Sequence, residues 1–194
     1  GGETVAMPSK QPDDHREGVA LTNLDHPLFD GSGVTKRQLV DYLDAVSSRL
    51  LPELRDRPLS VVRVTGDQAP FMQKNVPKYA PDFVRTVTVW AEASRRDVHY
   101  ALCDDRPTLL WFANQRAVEY HPTLTTAARS DHATHLVLDL DPPDDNSFDR
   151  VVETASAVRD ALAAHGLRGA IKTSGAKGLH IIVPVASDVA IDDA

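Results

Sequence analysis

"THLVLDLDPP", residues 134–143, decides how this chain is read. In an extended strand successive side chains point to opposite faces, so Leu136, Leu138 and Leu140 share one face while Asp139 and Asp141 share the other. The leucines ask for a covering layer; the aspartates face outward together. Two carboxylates held side by side repel one another and raise a proton affinity unless a divalent cation neutralises them. Oxygen donors of this kind suit magnesium or manganese. Pro142 and Pro143 stiffen the exit and keep the pair at an edge, and Asp144 and Asp145 read as solvated turn residues. At this point an acidic strand end that only solvates its turn remains an open alternative.

The downstream sequence supplies the covering layer. "SFDRVVETASAVRDALAAHG", residues 147–166, reads as an amphipathic helix with Ser147 as cap and Gly166 as stop. "GAIKTS" and "GLHIIVPV" read as strands joined around "GAK". The tip of that hairpin, "KTSGAKGLH" at 172–180, is glycine-rich and cationic on a chain whose formal net charge is -7. Gly175 and Gly178 allow positive φ and close backbone approach, so successive N–H groups can turn toward one anion. Ser174 adds a hydroxyl and Lys177 a mobile charge, a combination suited to a triphosphate. His180 opens the second strand, within reach of a phosphate oxygen. The spacing is not that of a Walker loop and no helix follows, so this phosphate site is borne on a hairpin. A tight turn with a solvated lysine is the plainer alternative. If the aspartate strand is paired with the hairpin strands, or one removed from them, a cation and a triphosphate come together. That is the arrangement of nucleotidyl transfer.

The rest of the chain bounds the fold. Its 194 residues, 42% hydrophobic and 25% charged, allow one domain or one with an appendage. The longest apolar runs are about five or six residues against the roughly 20 needed to cross a bilayer, and no charged-then-apolar leader opens the chain. We expect no membrane partner and a cytoplasmic location. A single cysteine, Cys103, excludes an internal disulfide and a cysteine-built zinc site. The acidic total argues against nucleic acid, but the distribution is uneven. From Arg49 to Arg85 seven basic residues stand against four acidic ones, whereas after Ser130 five stand against eleven. Such a division suits a polyanion held through metal ions, although an ordinary solvated surface explains it equally well.

The first twenty residues lack periodicity and read as a flexible arm, with one domain over 21–194. Leu39, Tyr42, Leu43, Val46 and Leu50 recur at helical spacing behind a Thr35 cap, predicting a helix over 35–51. "RPLSVVRV" (57–64), "VRTVTVW" (84–90) and "VHYALC" (98–103) read as strands, and a further helix is expected over 108–120. Between the first two strands, "GDQAPFMQKNVPKYAP" (66–81) reads as a long, functional loop. The class is α/β, a central mixed or antiparallel sheet flanked by helices. His132 and His135 read as loop histidines, Trp111 and Phe112 as core, and Cys103 as buried and inert. No nucleophile-elbow sequence supports hydrolysis.

"DLDP" followed one helix later by "KTSGAKGLHIIVP" resembles the polymerase domain of bacterial DNA ligase D, in the archaeo-eukaryotic primase superfamily. "LTNLDHPLF", "VTKRQLVDYL", "LRDRPLSVVR", "FMQKNVPKYAPDFVRTV" and "LLWFANQRAVEYH" agree in the same order, from about Leu21 to Val185. The resemblance implies a primase-like nucleotidyltransferase that extends or fills DNA ends and gaps in non-homologous end joining. It further implies manganese or magnesium, an NTP or dNTP substrate with ribonucleotides preferred, 5′-phosphorylated DNA ends, ligase and Ku as partners, and a nucleoid-associated bacterial setting. By similarity, Asp139 and Asp141 are catalytic metal ligands. Ser174, Gly175, Lys177, Gly178, His180, His121 and Arg63 contact the nucleotide. Phe71 stacks on the template base, a contact worth about 1–3 kcal/mol. Lys36 grips the 5′-phosphate of a DNA end, and Lys74 belongs to the same DNA-facing set.

Three departures from the family pattern accompany these expectations. Met72 stands where the family has a second stacking aromatic. His26, a cation only when protonated, stands where it often has a second phosphate-gripping lysine. The family's third catalytic aspartate belongs to a later strand, and Asp188, Asp192 and Asp193 follow Val185 too closely to supply it. We therefore expect a C-terminally truncated domain. The alternative is a catalytically incomplete module of the same fold that only binds a DNA end or a nucleotide.

Overall fold

A computed structural model describes residues 12–65, 69–92, 95–143, 147–186 and 189–190. The chain divides into two compact units, residues 1–123 and 124–194. Asp144, Asp145, Asp188, Asp192, Asp193 and residues 1–11 lie outside the described residues.

The first unit opens with an antiparallel hairpin, β1 (Asp14–Arg16) and β2 (Val19–Leu21). This corrects the expected arm, whose last residues are folded rather than flexible. Val19 and Leu21 are buried, and Arg16 pairs with Asp14 at 3.1 Å, Asp41 at 2.6 Å and Asp44 at 3.2 Å. A two-residue apolar alternation amid charged neighbours gives little periodic signal. Helix α1 (Lys36–Leu54) starts where expected. The Thr35 hydroxyl accepts from the Gln38 N–H at 3.4 Å while the Thr35 N–H donates to Gln38 Oε1 at 2.8 Å, a reciprocal capping box.

Next come β3 (Pro58–Arg63), β4 (Phe71–Gln73), β5 (Arg85–Ala91), β6 (Arg96–Leu102), α2 (Arg106–Asn114) and β7 (Ala117–Pro122). They form a five-stranded antiparallel sheet, with β7 along one edge of β3, β6 and then β4 along the other, and β5 outside β6. Two expectations fail here. The long loop contains β4, and the helix expected over 108–120 stops at Asn114. Arg116 sits at φ +60°, outside helical backbone, and from Ala117 onward buried or half-buried side chains alternate with exposed Glu119 and His121, the period of a strand. The core joins Leu21, Val40, Leu59, Val61, Leu109 and Phe112, with Trp111 and Phe112 buried in it as expected. Cys103 is fully buried, and burial pushes its thiol above the ordinary value, so it is inert at neutral pH.

The second unit is a three-stranded antiparallel sheet in the order β8 (His135–Leu140), β10 (Leu179–Pro184), β9 (Ala170–Thr173), with α3 (Phe148–Ala164) on one face. His135 is the first residue of β8 rather than a loop histidine. Val151, Ala155, Val158 and Leu162 of α3 pack on Leu136, Leu138, Leu140, Leu179, Ile181 and Val183. Each such valine, leucine or isoleucine contributes about 1.5–3 kcal/mol when fully buried. That packing fixes the register of β8, because a one-residue slip turns its leucines outward and its aspartate inward. Among the described residues no helix is long and apolar enough to cross a membrane.

Candidate active site

The site of the second unit is built on the pairing of β8 with β10. Asp139 stands opposite His180 and Leu140 opposite Leu179. The Asp139 side chain is 60% exposed, and its Oδ1 lies 3.3 Å from His180 Nε2. Asp139, Leu140 and Asp141, with Pro143 from the exit and Arg150, Val151 and Thr154 from the start of α3, line a cleft of about 230 Å³. The larger cavity, about 390 Å³ between α3 and β9, is chiefly apolar and includes neither aspartate.

The hairpin tip reaches the same edge. Gly178 packs so closely on β8 that a β-carbon there would overlap the Leu140 carbonyl oxygen and come within 2.7 Å of Asp141 Oδ1. No other amino acid fits without moving the tip. Gly175 is at φ +91°, the left-handed backbone that reverses the chain. The Ser174 N–H donates to the Gly178 carbonyl at 2.9 Å, and Ser174 Oγ accepts the N–H groups of Ala176 at 3.2 Å and Gly178 at 3.0 Å. Two of the N–H groups expected to form an anion nest are thus satisfied by the serine. Its hydroxyl proton remains to donate outward, strengthened by the bonds it accepts. Lys177 sits between the two glycines on the exposed tip.

Two hard oxygen donors at an open cleft fit a divalent cation in part. Among the described residues no group of three His, Cys, Asp or Glu side chains could hold one. His180 meets Asp139 and Gly178 meets Asp141 at this edge, while Ser174 and Lys177 belong to the tip that Gly178 brings against it. Arg150 and Thr154 were not anticipated. They flank the apolar stripe of α3 one turn apart, a position legible once the stripe is drawn.

The other predicted residues belong to the first unit. His121, exposed on β7, has Nε2 2.9 Å from Glu119 Oε2. Arg63 directs its fork onto neutral acceptors: the Gln115 carbonyl at 2.7 Å, Gln115 Oε1 at 3.1 Å, Gln73 Oε1 at 2.7 Å and the Tyr79 hydroxyl at 3.2 Å. Its guanidinium also lies over the Phe71 ring, 5.5 Å from the centroid. Phe71 and Met72 are 39% and 47% exposed on β4, and Lys74 follows them, exposed. Lys36 is 3% exposed, with Nζ donating to the Thr22 carbonyl at 2.6 Å, while His26 is exposed beside it. The framework residues Gln73, Tyr79 and Gln115 carry no signal in sequence, because a neutral polar side chain is noticed only once its partner is in place.

Known proteins are similar to this chain in sequence and in fold. The family described as LigD, primase-polymerase domain, matches residues 35–193. The bifunctional non-homologous end joining protein LigD of Bacillus subtilis (strain 168) is 35% identical over 172 residues, 88% of this chain and 27% of that protein. The multifunctional non-homologous end joining DNA repair protein LigD of Mycobacterium tuberculosis (strain H37Rv) is 34% identical over 177 residues, 86% of this chain and 23% of that protein. A solved structure described as the polymerase domain from Mycobacterium tuberculosis ligase D in complex with DNA superposes with a TM-score of 0.78 at 34% identity, covering 89% of this chain and 62% of that one. The chain thus spans about a quarter of the curated relatives and under two thirds of the solved domain.

Proposed function

The chain belongs to the LigD primase-polymerase domain family, and we propose that it is a primase-like nucleotidyltransferase that extends or fills DNA ends in non-homologous end joining. The observation that carries this reading is the contact of the hairpin tip with the carboxylate edge. Gly178 lies against Leu140 and Asp141, and His180 against Asp139.

In the proposed reaction a primer 3′-hydroxyl gives up its proton to solvent as its oxygen bonds to the α-phosphorus of a nucleoside triphosphate, and the bond from that phosphorus to the oxygen bridging to the β-phosphate breaks, releasing pyrophosphate. Asp139 and Asp141 would hold a divalent cation, manganese or magnesium, which when bound would neutralise phosphate charge. Lys177 balances the negative charge of the triphosphate, and the Ser174 hydroxyl donates to one of its oxygens. His180, braced by Asp139, donates to another. Gly175 and Gly178 let the backbone approach closely enough for these contacts.

In the first unit, Phe71 and Met72 offer exposed apolar faces to a template base, and Lys74 a charge to its backbone. Lys36 and His26 serve the 5′-phosphate of the end. His121 and Arg63 are assigned to the nucleotide on family membership, as are ribonucleotide preference, ligase and Ku partners and a nucleoid location. No observation favours the module that only binds.

The test is primer extension on a gapped, 5′-phosphorylated duplex with manganese. The reading predicts addition of nucleotides templated across the gap. Absence of extension together with absence of binding to the DNA end would overturn it.

A further inference from the structure

Cations of the first unit gather where, among the described residues, no carboxylate forms an ion pair with them. Lys36 is buried at the start of α1, and its ammonium is held down to about 8 by burial first, then by Arg116, with Arg63 adding to the effect and Asp13 opposing it. Asp13 is itself committed, its Oδ2 accepting the Leu24 N–H at 2.8 Å. The Arg116 guanidinium lies 3.4 Å from His26 Nδ1, and the Lys36 N–H donates to the His26 carbonyl at 2.9 Å, so the three residues share one spot. Among the described residues, neither Lys36 nor Arg116 forms an ion pair with a carboxylate. An arginine can only donate, so Nδ1 of His26 is the acceptor and Nε2 carries the proton, available to a further acceptor. Positive charges collected around a buried lysine repel one another unless an anion joins them.

Arg116 is also set in an unusual backbone. At φ +60° it occupies a conformation that side chains other than Asn and Asp rarely adopt. Glu17 and Arg95 share this region, so the backbone assigns no role by itself; it does make glycine a strain-free replacement for Arg116.

We propose that Arg116 contacts the 5′-phosphate of a DNA end, sharing it with Lys36 and supplying the fixed charge that His26 lacks. The inference rests on the DNA-end reading above and goes beyond it in naming the residue that compensates for the histidine. A guanidinium offers two parallel donors to a phosphate, a geometry that neither ammonium nor imidazole provides. A terminal phosphate carries close to two charges near neutral pH, against one on an internal phosphodiester, so a cluster of cations favours an end over continuous duplex.

The test substitutes Arg116→Gly. Glycine accepts φ +60° without strain, so this variant removes the cation while holding or raising the melting temperature. Affinity is measured for matched recessed duplexes that differ only in a 5′-phosphate or 5′-hydroxyl. The wild-type preference for the phosphorylated end is expected to fall about tenfold in R116G, with 5′-hydroxyl affinity changing about twofold or less. Arg116→Asn, which also tolerates this backbone, should behave alike, and His26→Lys in the R116G background should restore the preference. A wild-type preference that survives in R116G and R116N overturns the assignment of Arg116 alone. A wild-type chain with no preference for the phosphorylated end overturns the assignment and the DNA-end reading together.

Discussion

Asp139 and His180 face each other across the antiparallel pair of β8 and β10, with Oδ1 and Nε2 3.3 Å apart. One hydrogen-bonded register therefore delivers the carboxylate edge and the hairpin tip to the same place. The leucines behind Asp139 hold that register through α3, so the chemistry of one face depends on the packing of the other.

Gly178→Ala tests that dependence. Its β-carbon meets the backbone oxygen of Leu140, which cannot rotate away, so the tip must lift from β8. We expect a stability loss of about 1–3 kcal/mol, as for overpacking elsewhere. Affinity for a nucleoside triphosphate should fall about tenfold or more while binding to a duplex end stays near wild type. Unchanged melting temperature and nucleotide affinity would show that the close approach has no consequence.

Ser174→Ala removes the acceptor of two tip N–H groups and one outward donor. The exposed loop can turn those N–H groups to water, so stability should drop by about 1 kcal/mol or less. Nucleotide affinity should drop several-fold. A large loss of stability with unchanged nucleotide affinity would make Ser174 a turn residue only.

Arg63→Lys separates two uses of one cation. Lysine keeps the charge but loses the fork that ties together Gln115, Gln73 and Tyr79 beneath Phe71. If Arg63 positions the stacking platform, R63K weakens binding to duplexes with a single-stranded template overhang about fivefold and leaves nucleotide affinity within about twofold. The opposite split would make Arg63 a direct nucleotide contact, the role that the resemblance implies.

Lys36 would make the proposed end site sensitive to pH. Its ammonium ionises at about 8 in the fold, pushed down by burial and then by Arg116, with Arg63 adding and Asp13 opposing; His26 also faces it through the shared turn. The ordinary lysine value is 10.5. Between 8 and 10.5 the unfolded chain holds more protons than the folded one, so stability rises with pH across that window. A phosphate favours the protonated lysine, so preference for a 5′-phosphate should be full from about 6, where the phosphate gains its second charge, to about 8 and decline above it. Lys36→Met should remove the rise in melting temperature and flatten the decline. A pH profile of preference identical in wild type and K36M would exclude Lys36 from the site.

Much of this was legible in the sequence, and the omissions share a cause. The alternation of Leu136, Leu138 and Leu140 with Asp139, the cap at Thr35 and the glycines of the tip are local patterns, and each is found where the pattern places it. The β1–β2 hairpin, β4 and β7 were missed because short strands are stabilised by partners distant in sequence, such as Arg16 with Asp41 and Asp44 or β7 along β3. The helix expected over 108–120 extended an apolar run through Arg116, whose left-handed backbone has no signature when the residue is not glycine. The burial of Lys36 and the neutral framework around Arg63 depend on tertiary contacts alone. Sequence finds the residues that carry charge and chemistry more readily than those that hold them.

The central claim is that Asp139 and Asp141 lend a divalent cation to a nucleotide held by the hairpin tip. The most direct measurement is the affinity of the chain for ATP with and without manganese, in the wild type and in Asp139→Ala with Asp141→Ala. The account predicts that manganese tightens ATP binding to the wild type by about tenfold or more and that the double variant loses this gain while still binding a 5′-phosphorylated duplex end. An equal manganese effect in both proteins would contradict it.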